Sequence, residues 1–130
     1  MKTAGLLIFF LTVLSLEGFG QNQALNCSPF KTGDFMYVDS AGVSWDLKRT
    51  KKQQTERNKK DGTIIKHRIT WLSDCEYKLT QLWTNDKTRR KLNRSWIIYR
   101  IIATGDKTYQ YSCTCKDGSN ISGVVVKIIY

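Results

Sequence analysis

Apolar and polar side chains alternate with a period of two along much of the chain from Phe35 onward. In the clearest stretch, Ile65, His67, Ile69 and Trp71 occupy one set of positions, and lysine, arginine and threonine occupy the positions between them. Because successive side chains of a strand point to opposite faces, this alternation predicts strands with one buried face and one solvated face. The same pattern recurs over residues 34–37, 43–48 and 75–81.

Turn-forming residues separate these alternating segments at near-regular intervals. They are Asp39–Gly42, Asp61–Gly62, Asn85–Asp86, Gly105–Asp106 and Asp117–Gly118. The only proline, Pro29, precedes the first strand, where it removes no hydrogen bond from a sheet. About seven short strands joined by tight turns predict an all-β fold, an antiparallel meander that forms either a small barrel or a sandwich.

Two parts of the pattern depart from simple alternation. The polar segment 48–60 is compatible with an extension of the second strand, a loop or a short surface helix. Segments 96–102 and 124–130 carry apolar side chains on both faces, which predicts burial of both faces. A second sheet, a neighbouring chain or a ligand would provide the cover, and central strands of a packed sandwich are the favoured interpretation.

The N-terminal segment reads as an export signal rather than as part of the fold. Lys2 precedes the almost wholly apolar run Ala4–Leu16, which is shorter than the about 20 residues that a helix needs to cross a bilayer. The small residues Gly18 and Gly20 predict cleavage after Gly20. We therefore expect a signal peptide over 1–20, a single β domain over 21–130 without a transmembrane segment, and a periplasmic or extracellular location.

Four cysteines follow the predicted cleavage site, and an even number in an exported chain predicts disulfide bonds. Three pairings are possible. On a strand, Cys113 and Cys115 would point to the same face, so they either bridge each other or reach separate partners. A zinc site is disfavoured because the spacing lacks Cys-x-x-Cys pairs and His67 is the only histidine. We expect neither a metal nor a cofactor.

The chain is strongly basic, with 21 Lys and Arg against 11 Asp and Glu and a formal charge of +10. The surplus is concentrated in residues 48–60 and 86–94. Such runs fit phosphate backbones, lipopolysaccharide or acidic polysaccharide, and tryptophans beside them fit base or sugar stacking. A solvated basic face that opposes aggregation is the favoured interpretation, so nucleic acid is a conceivable but not a favoured partner.

The sequence contains few residues that could act as catalytic groups. His67 is the only histidine, and it shares a strand face with apolar residues, which favours a packing role over that of a general base. Asp74 and Glu76 form the only close carboxylate pair in a patterned strand, without a second feature of a glycosidase. Phosphate-binding glycine loops and serine-nucleophile motifs are missing. We expect no catalytic residues and no enzyme activity.

Two segments resemble the signatures of a family of small exported proteins of Bacteroidota. Cys27–Phe35 fits a Cys-x-x-Phe-Lys-x-Gly-x-Phe opening, and Trp71–Leu79 fits a Trp-x-x-Asp-Cys-Glu-Tyr-x-Leu segment. The resemblance implies a lipocalin-like or related small β-barrel without assigned activity. It also supports a bond between Cys27 and Cys75, which leaves Cys113 and Cys115 as the second pair.

Members of that family are often labelled as a DNA topoisomerase subunit. A type II topoisomerase needs an ATP site, a metal-binding acidic cluster and a strand-cleaving tyrosine, spread over many hundreds of residues. None of these features is visible in the sequence, so the label is rejected for this chain.

The leading functional hypothesis is a non-catalytic binding module for a small apolar or anionic ligand. Its candidate ligand-binding residues are Trp71, Tyr77, Arg89, Arg90 and Lys91. One alternative is a basic module that binds nucleic acid or an envelope polyanion. Another is a structural protein that associates through its apolar C-terminal strands.

Overall fold

The computed structural model describes residues 24–114 and 119–129, in which eight antiparallel strands form a closed barrel. Each strand pairs with the next in the chain, and the last pairs with the first. The strands are β1 (Gly33–Val38), β2 (Ser44–Arg49), β3 (Gln53–Asn58), β4 (Ile64–Ser73), β5 (Glu76–Thr84), β6 (Trp96–Thr104), β7 (Thr108–Thr114) and β8 (Asn120–Ile128). The all-β prediction is confirmed, and the architecture is the barrel rather than the sandwich.

Strand β3 lies in the polar segment for which the pattern left three interpretations open. The segment 48–60 contains the end of β2, a tight turn and all of β3. The inward side chains of β3 are Gln54, Glu56 and Asn58, and all three are buried. Because these inward residues are polar, β3 has no apolar alternation, which is why the pattern predicted about seven strands.

One end of the barrel is closed by a short 3₁₀ helix, Ser28–Phe30, which we call the closing helix. Phe30 is buried, and its ring lies 5.2 Å from that of Tyr109 on β7. A disulfide bond joins Cys27, just before the closing helix, to Cys75 in the β4–β5 turn. The predicted Cys27–Cys75 pairing is therefore confirmed.

The predicted second pair is only partly within the described residues. Cys113 is buried on β7 near the opposite end of the barrel. Cys115 lies outside the described residues, as do the predicted export signal and the Asp117–Gly118 turn. The pairing of Cys113 with Cys115 stays a prediction.

The opposite end of the barrel is built from hairpin loops with side-chain hydrogen bonds. In the β1–β2 loop, Asp39 Oδ1 accepts from the main-chain nitrogens of Ala41 and Val43 at 3.0 and 2.9 Å. Gly42 in this loop has φ of 78°, a conformation that glycine adopts without steric cost. Asp39 Oδ2 also accepts from Trp45 Nε1 at 2.9 Å. The loop thereby fixes an indole ring at this rim.

The outer face of the last strands is not buried, so the predicted two-sided burial is wrong. Ile102, Val124 and Val126 remain 48%, 48% and 38% exposed. A barrel has only one interior, and within the described ranges no second layer covers these side chains.

Strand β8 is hydrogen-bonded to both β7 and β1, so closure of the barrel leaves neither of these strands with a free edge. No helix of the described residues is long and apolar enough to cross a membrane.

Candidate ligand cavity

The interior of the barrel contains a cavity of about 340 Å³, which we call the barrel cavity. Its lining extends from Tyr109, which packs on the closing helix, to the rim formed by the β1–β2 and β5–β6 connections. The volume lies at the lower end of the range typical of small-molecule sites, about 300–1,000 Å³. The lining residues are Tyr37, Asp39, Trp45, Leu47, Gln54, Glu56, Ile65, His67, Tyr77, Leu79, Gln81, Arg89, Leu92, Ser95, Trp96, Ile97, Tyr99, Tyr109, Tyr111 and Val125.

Aromatic rings form a large part of this lining. Tyr37 and Trp45 stack with their ring centroids 6.1 Å apart. On the other side, the Tyr99 ring stacks on Tyr77 at 5.4 Å and meets Tyr111 edge-on at 5.5 Å. Such contacts hold the rings in fixed orientations, so the cavity presents preformed aromatic surfaces to its contents.

A chain of hydrogen-bonded polar side chains crosses the interior from β2 to β1. Arg49 Nε donates to Gln54 Oε1 at 2.8 Å, and Gln54 Nε2 donates to Glu56 Oε1 at 2.7 Å. The Tyr37 hydroxyl donates to Glu56 Oε2 over a longer 3.4 Å. Because alternate residues of β3 point inward, Gln54 and Glu56 belong to the same chain of bonds. The carboxylate of Glu56 is thereby positioned at the cavity wall.

Arg49 lies between this polar chain and the closed end. Its terminal nitrogens donate to the Phe30 main-chain oxygen at 2.7 Å and to the Tyr109 hydroxyl at 2.9 Å. The guanidinium carbon lies 4.9 Å from the ring centroids of both Phe35 and Tyr77. Three hydrogen-bond acceptors and two ring faces therefore stabilise this buried cation.

His67 projects from β4 toward Glu56 and is half-buried at the cavity wall. Its Nε2 lies 3.5 Å from Glu56 Oε1, but the contact does not have hydrogen-bond geometry, and neither ring nitrogen has a hydrogen-bond partner among the described residues. Burial lowers the pKa of His67 below its ordinary value, and the Glu56 carboxylate opposes this shift. The imidazole at this wall is consequently uncharged at neutral pH.

The interior phenols are also held in their neutral form. Burial raises the pKa of Tyr37, and the nearby Glu56 carboxylate raises it further. Burial raises the pKa of Tyr77 and of Tyr111 in the same direction. Neutral phenols both donate and accept hydrogen bonds, so the lining offers polar contacts of both kinds.

The second 3₁₀ helix, Lys87–Leu92, forms part of the rim, and we call it the rim helix. Asp86 caps it by accepting from the Thr88 main-chain nitrogen at 2.9 Å. Gln81, an inward residue of β5, donates to the main-chain oxygen of Arg89 at 2.9 Å. The Arg89 guanidinium then lies 5.6 Å from the Trp45 ring centroid and 3.4 Å from the Asp86 carboxylate. A cation therefore covers one side of the rim indole.

The five ligand-binding residues predicted from sequence do not all lie at the cavity. Tyr77 and Arg89 line it. Trp71 lies toward the closed end, with its ring 4.9 Å from that of Tyr77, and does not belong to the lining. Arg90 and Lys91 are exposed on the rim helix, outside the lining.

Tyr37, Gln54 and Glu56 line the cavity but are not among the ligand-binding residues predicted from the sequence. Tyr37 shares its strand face with Phe35, so alternation alone placed it inward without distinguishing cavity lining from packed core. The sequence holds one indication of Gln54 and Glu56, because they are two residues apart, as inward positions of a strand are. The whole segment around them is polar, so this spacing does not stand out as an alternation of apolar and polar residues.

A second surface feature lies on the outside of the barrel, across β4, β5 and the start of β6. Lys66 Nζ lies 5.3 Å from the Trp83 ring centroid, and Lys78 Nζ lies 5.8 Å from that of Trp96. Both indoles are about half exposed, at 46% and 48%. We call these four residues the outer basic face; one of them, Trp96, also lines the barrel cavity at the rim.

The two carboxylates considered as a catalytic pair do not converge on a common site. Asp74 is exposed in the β4–β5 turn, 3.6 Å from Lys31 Nζ. Glu76 pairs with Arg100 across the outer face of β5 and β6 at 3.0 Å. Within the described ranges, no group of three or more histidine, cysteine or acidic residues is placed to hold a metal ion.

Comparisons with known proteins add no assignment to this geometry. No family model, curated protein or solved structure matches the chain. The barrel cavity, its polar chain and the outer basic face are therefore the features of this chain that bear on its function.

Proposed function

We propose that this protein is a non-catalytic binding module that holds a small ligand in the barrel cavity. The observation that carries the proposal is the cavity of about 340 Å³. Its wall consists of aromatic rings in fixed orientations together with side chains that form hydrogen bonds. A structural barrel of this size would fill its interior with side chains, as eight-stranded barrels without ligands do. The lining reaches the rim at Asp39 and Arg89, and we expect a ligand to enter from this end.

The lining narrows the ligand class to an amphipathic molecule. Leu47, Leu79 and Val125 offer aliphatic contact, whereas the two ring nitrogens of His67 have no hydrogen-bond partner among the described residues. A plain hydrocarbon would leave this imidazole without a hydrogen bond, which costs about 1–3 kcal/mol. A ligand with an aromatic or aliphatic body and at least one polar group satisfies both parts of the wall.

The compartment that we propose for this function is oxidising. The Cys27–Cys75 bond supports export, because such bonds persist mainly outside the cytosol. Periplasmic or extracellular location, and membership of the small exported Bacteroidota family, remain parts of the proposal.

The test is a titration with N-phenyl-1-naphthylamine, a neutral probe whose fluorescence rises on transfer from water into an apolar site. We expect saturable binding that is lost in Val125→Phe, because Val125 lines the cavity and is 3% exposed. The matched control is Val124→Phe, one residue away on the outer face, where 48% of the side chain is exposed. Equal binding by the two variants, or no binding by the unaltered protein, would reject the proposal.

A second candidate function is the binding of a polyanion by the outer basic face. The observation that favours it is the pairing of exposed indoles with lysines at Lys66–Trp83 and Lys78–Trp96, which joins a stacking surface to positive charge. The rim helix offers a separate basic surface through Arg89, Arg90 and Lys91.

Two charge-reversed variants separate these surfaces. One replaces Lys66 and Lys78 with Glu, and the other replaces Arg89, Arg90 and Lys91 with Glu. If the outer basic face binds polyanions, the first variant elutes from immobilised heparin at a clearly lower salt concentration than the second. Because the second variant reverses three charges and the first only two, an equal or larger shift of the second variant would indicate a general effect of net charge and would count against a dedicated surface.

A further inference from the structure

We infer that the ligand of the barrel cavity carries a positively charged amine, with Glu56 as its counter-charge. This inference rests on the proposed binding function and names the chemical class of the ligand. It follows from three features: the unused acceptor capacity of Glu56, the engagement of the interior arginine elsewhere, and the ring faces around the cavity.

Glu56 lies at the cavity wall with only two hydrogen-bond donors from the described residues. Gln54 donates to Oε1 at 2.7 Å, and Tyr37 donates to Oε2 at 3.4 Å. A carboxylate has about four acceptor sites, so part of its capacity faces the cavity. The residue is only 9% exposed, which limits compensation of its charge by bulk solvent.

The positive groups of the described residues do not neutralise this carboxylate directly. No lysine or arginine within the described ranges forms an ion pair with Glu56. Arg49 reaches it only through Gln54, and its other donors are directed to Phe30 and Tyr109. His67 is the closest basic group, but its burial favours the neutral imidazole. A buried carboxylate in this setting is stabilised by a cation that enters with the ligand.

The aromatic lining is suited to the same class of ligand. Tyr37, Tyr99 and Tyr111 all contribute rings to the cavity. Ring faces attract cations, and the attraction increases when the cation is removed from water. The chain already uses this contact at the rim, where the Arg89 guanidinium lies over Trp45. A protonated amine beside Glu56 would therefore meet both a carboxylate and aromatic faces.

The positive charge of Arg89 at the rim does not reverse the preference of the cavity for a cationic ligand. Its guanidinium is 3.4 Å from Asp86, and Asp39 also lines the rim, so the positive charge at the entrance is partly offset there. Glu56 projects from within β3, whereas Asp39 and Arg89 belong to the β1–β2 loop and the rim helix. The charge preference at the wall is set by Glu56.

The experiment compares three probes of nearly equal size by isothermal titration calorimetry at neutral pH. They are 2-phenylethylamine, which is protonated, 2-phenylethanol, which is neutral, and phenylacetate, which is anionic. We expect the amine to bind roughly tenfold tighter than the alcohol or better, and the anion to bind most weakly. Glu56→Gln keeps an acceptor for Gln54, and in this variant the affinity for the amine should fall to about that for the alcohol.

Glu76→Gln is the matched control, since it removes the same charge from the outer face, and it should leave the preference unchanged. The inference is overturned if the alcohol or the anion binds as tightly as the amine, if the preference survives Glu56→Gln, or if no probe binds. In those cases, binding of N-phenyl-1-naphthylamine that is lost in Val125→Phe would still support the proposed function. If Glu56→Gln does not fold, the comparison of the three probes on the unaltered protein decides alone.

Discussion

The guanidinium of Arg49 donates a hydrogen bond to the main-chain oxygen of Phe30, at 2.7 Å, across the closed end of the barrel. The bond links β2 to the closing helix, which is otherwise attached through the Phe30 ring and the disulfide of Cys27. Because the same guanidinium donates to Gln54, the closed end and the cavity wall share one buried cation. Arg49 therefore contributes both to the attachment of the closing helix and to the polar wall of the cavity.

Replacement of Arg49 with Met should destabilise the protein by about 3–5 kcal/mol, as expected when one partner of a buried charged network is removed. The Phe30 oxygen, Gln54 and Tyr109 would each lose a donor. Urea unfolding measures the change. Lys48→Met is the control, since Lys48 is exposed on the same strand, and it should change stability by less than about 0.5 kcal/mol. Similar losses in the two variants would contradict the role given to Arg49.

Removal of the Cys27–Cys75 bond by double substitution with Ser should lower stability by about 3–4 kcal/mol in the chain-entropy model. The bond spans 48 residues of sequence and also fixes the segment that precedes the closing helix. The measurement is the urea midpoint of the double variant against that of the unaltered protein. A difference below about 1 kcal/mol would show that the closing helix does not depend on the bond.

Gly123→Ala should move the Tyr111 ring. The two residues face each other on β8 and β7, and a Cβ atom at Gly123 would lie only 2.6 Å from the Tyr111 hydroxyl oxygen. Overpacking of this kind costs about 1–3 kcal/mol. Because Tyr111 lines the cavity, binding of N-phenyl-1-naphthylamine should change as well. Ser122→Ala, at the exposed neighbouring position, should alter neither property.

Stability should fall as pH decreases from about 7.5 to about 5.5, because the pKa of His67 is lowered by burial in the folded barrel. The unfolded chain takes up a proton near the ordinary value of 6.5, whereas the folded chain does so only at lower pH. Proton uptake therefore favours the unfolded state throughout that interval. His67→Gln should reduce this slope, measured as urea midpoints at both pH values, since His67 is the only histidine. An unchanged slope would show that the imidazole is not desolvated.

Alternation of apolar and polar residues predicted the all-β class and half of the eight strands. It identified β1, β2, β4 and β5 and placed Tyr77 and His67 on inward faces, because the inward residues of these strands are mainly apolar. It did not identify β3, whose inward residues are polar.

The alternation of apolar and polar residues could predict neither the closure of the barrel nor the polar wall of the cavity. The pairing of β1 with β8 joins the two ends of the sheet, and no local pattern distinguishes it from the pairing in a sandwich. For the same reason, the apolar outer residues of β6 and β8 were interpreted as buried. Glu56 became recognisable as a cavity residue only once β3 had been placed between β2 and β4.

The most direct test of the central claim, that the interior of the barrel binds a ligand, is the detection of nuclear Overhauser effects between 2-phenylethylamine and protein methyl groups. If the interior binds the probe, we expect contacts from the probe to the methyl groups of Leu79 and Val125, which line the cavity, and none to those of Val124 and Val126 on the outer face. Contacts confined to Val124 and Val126 would contradict it.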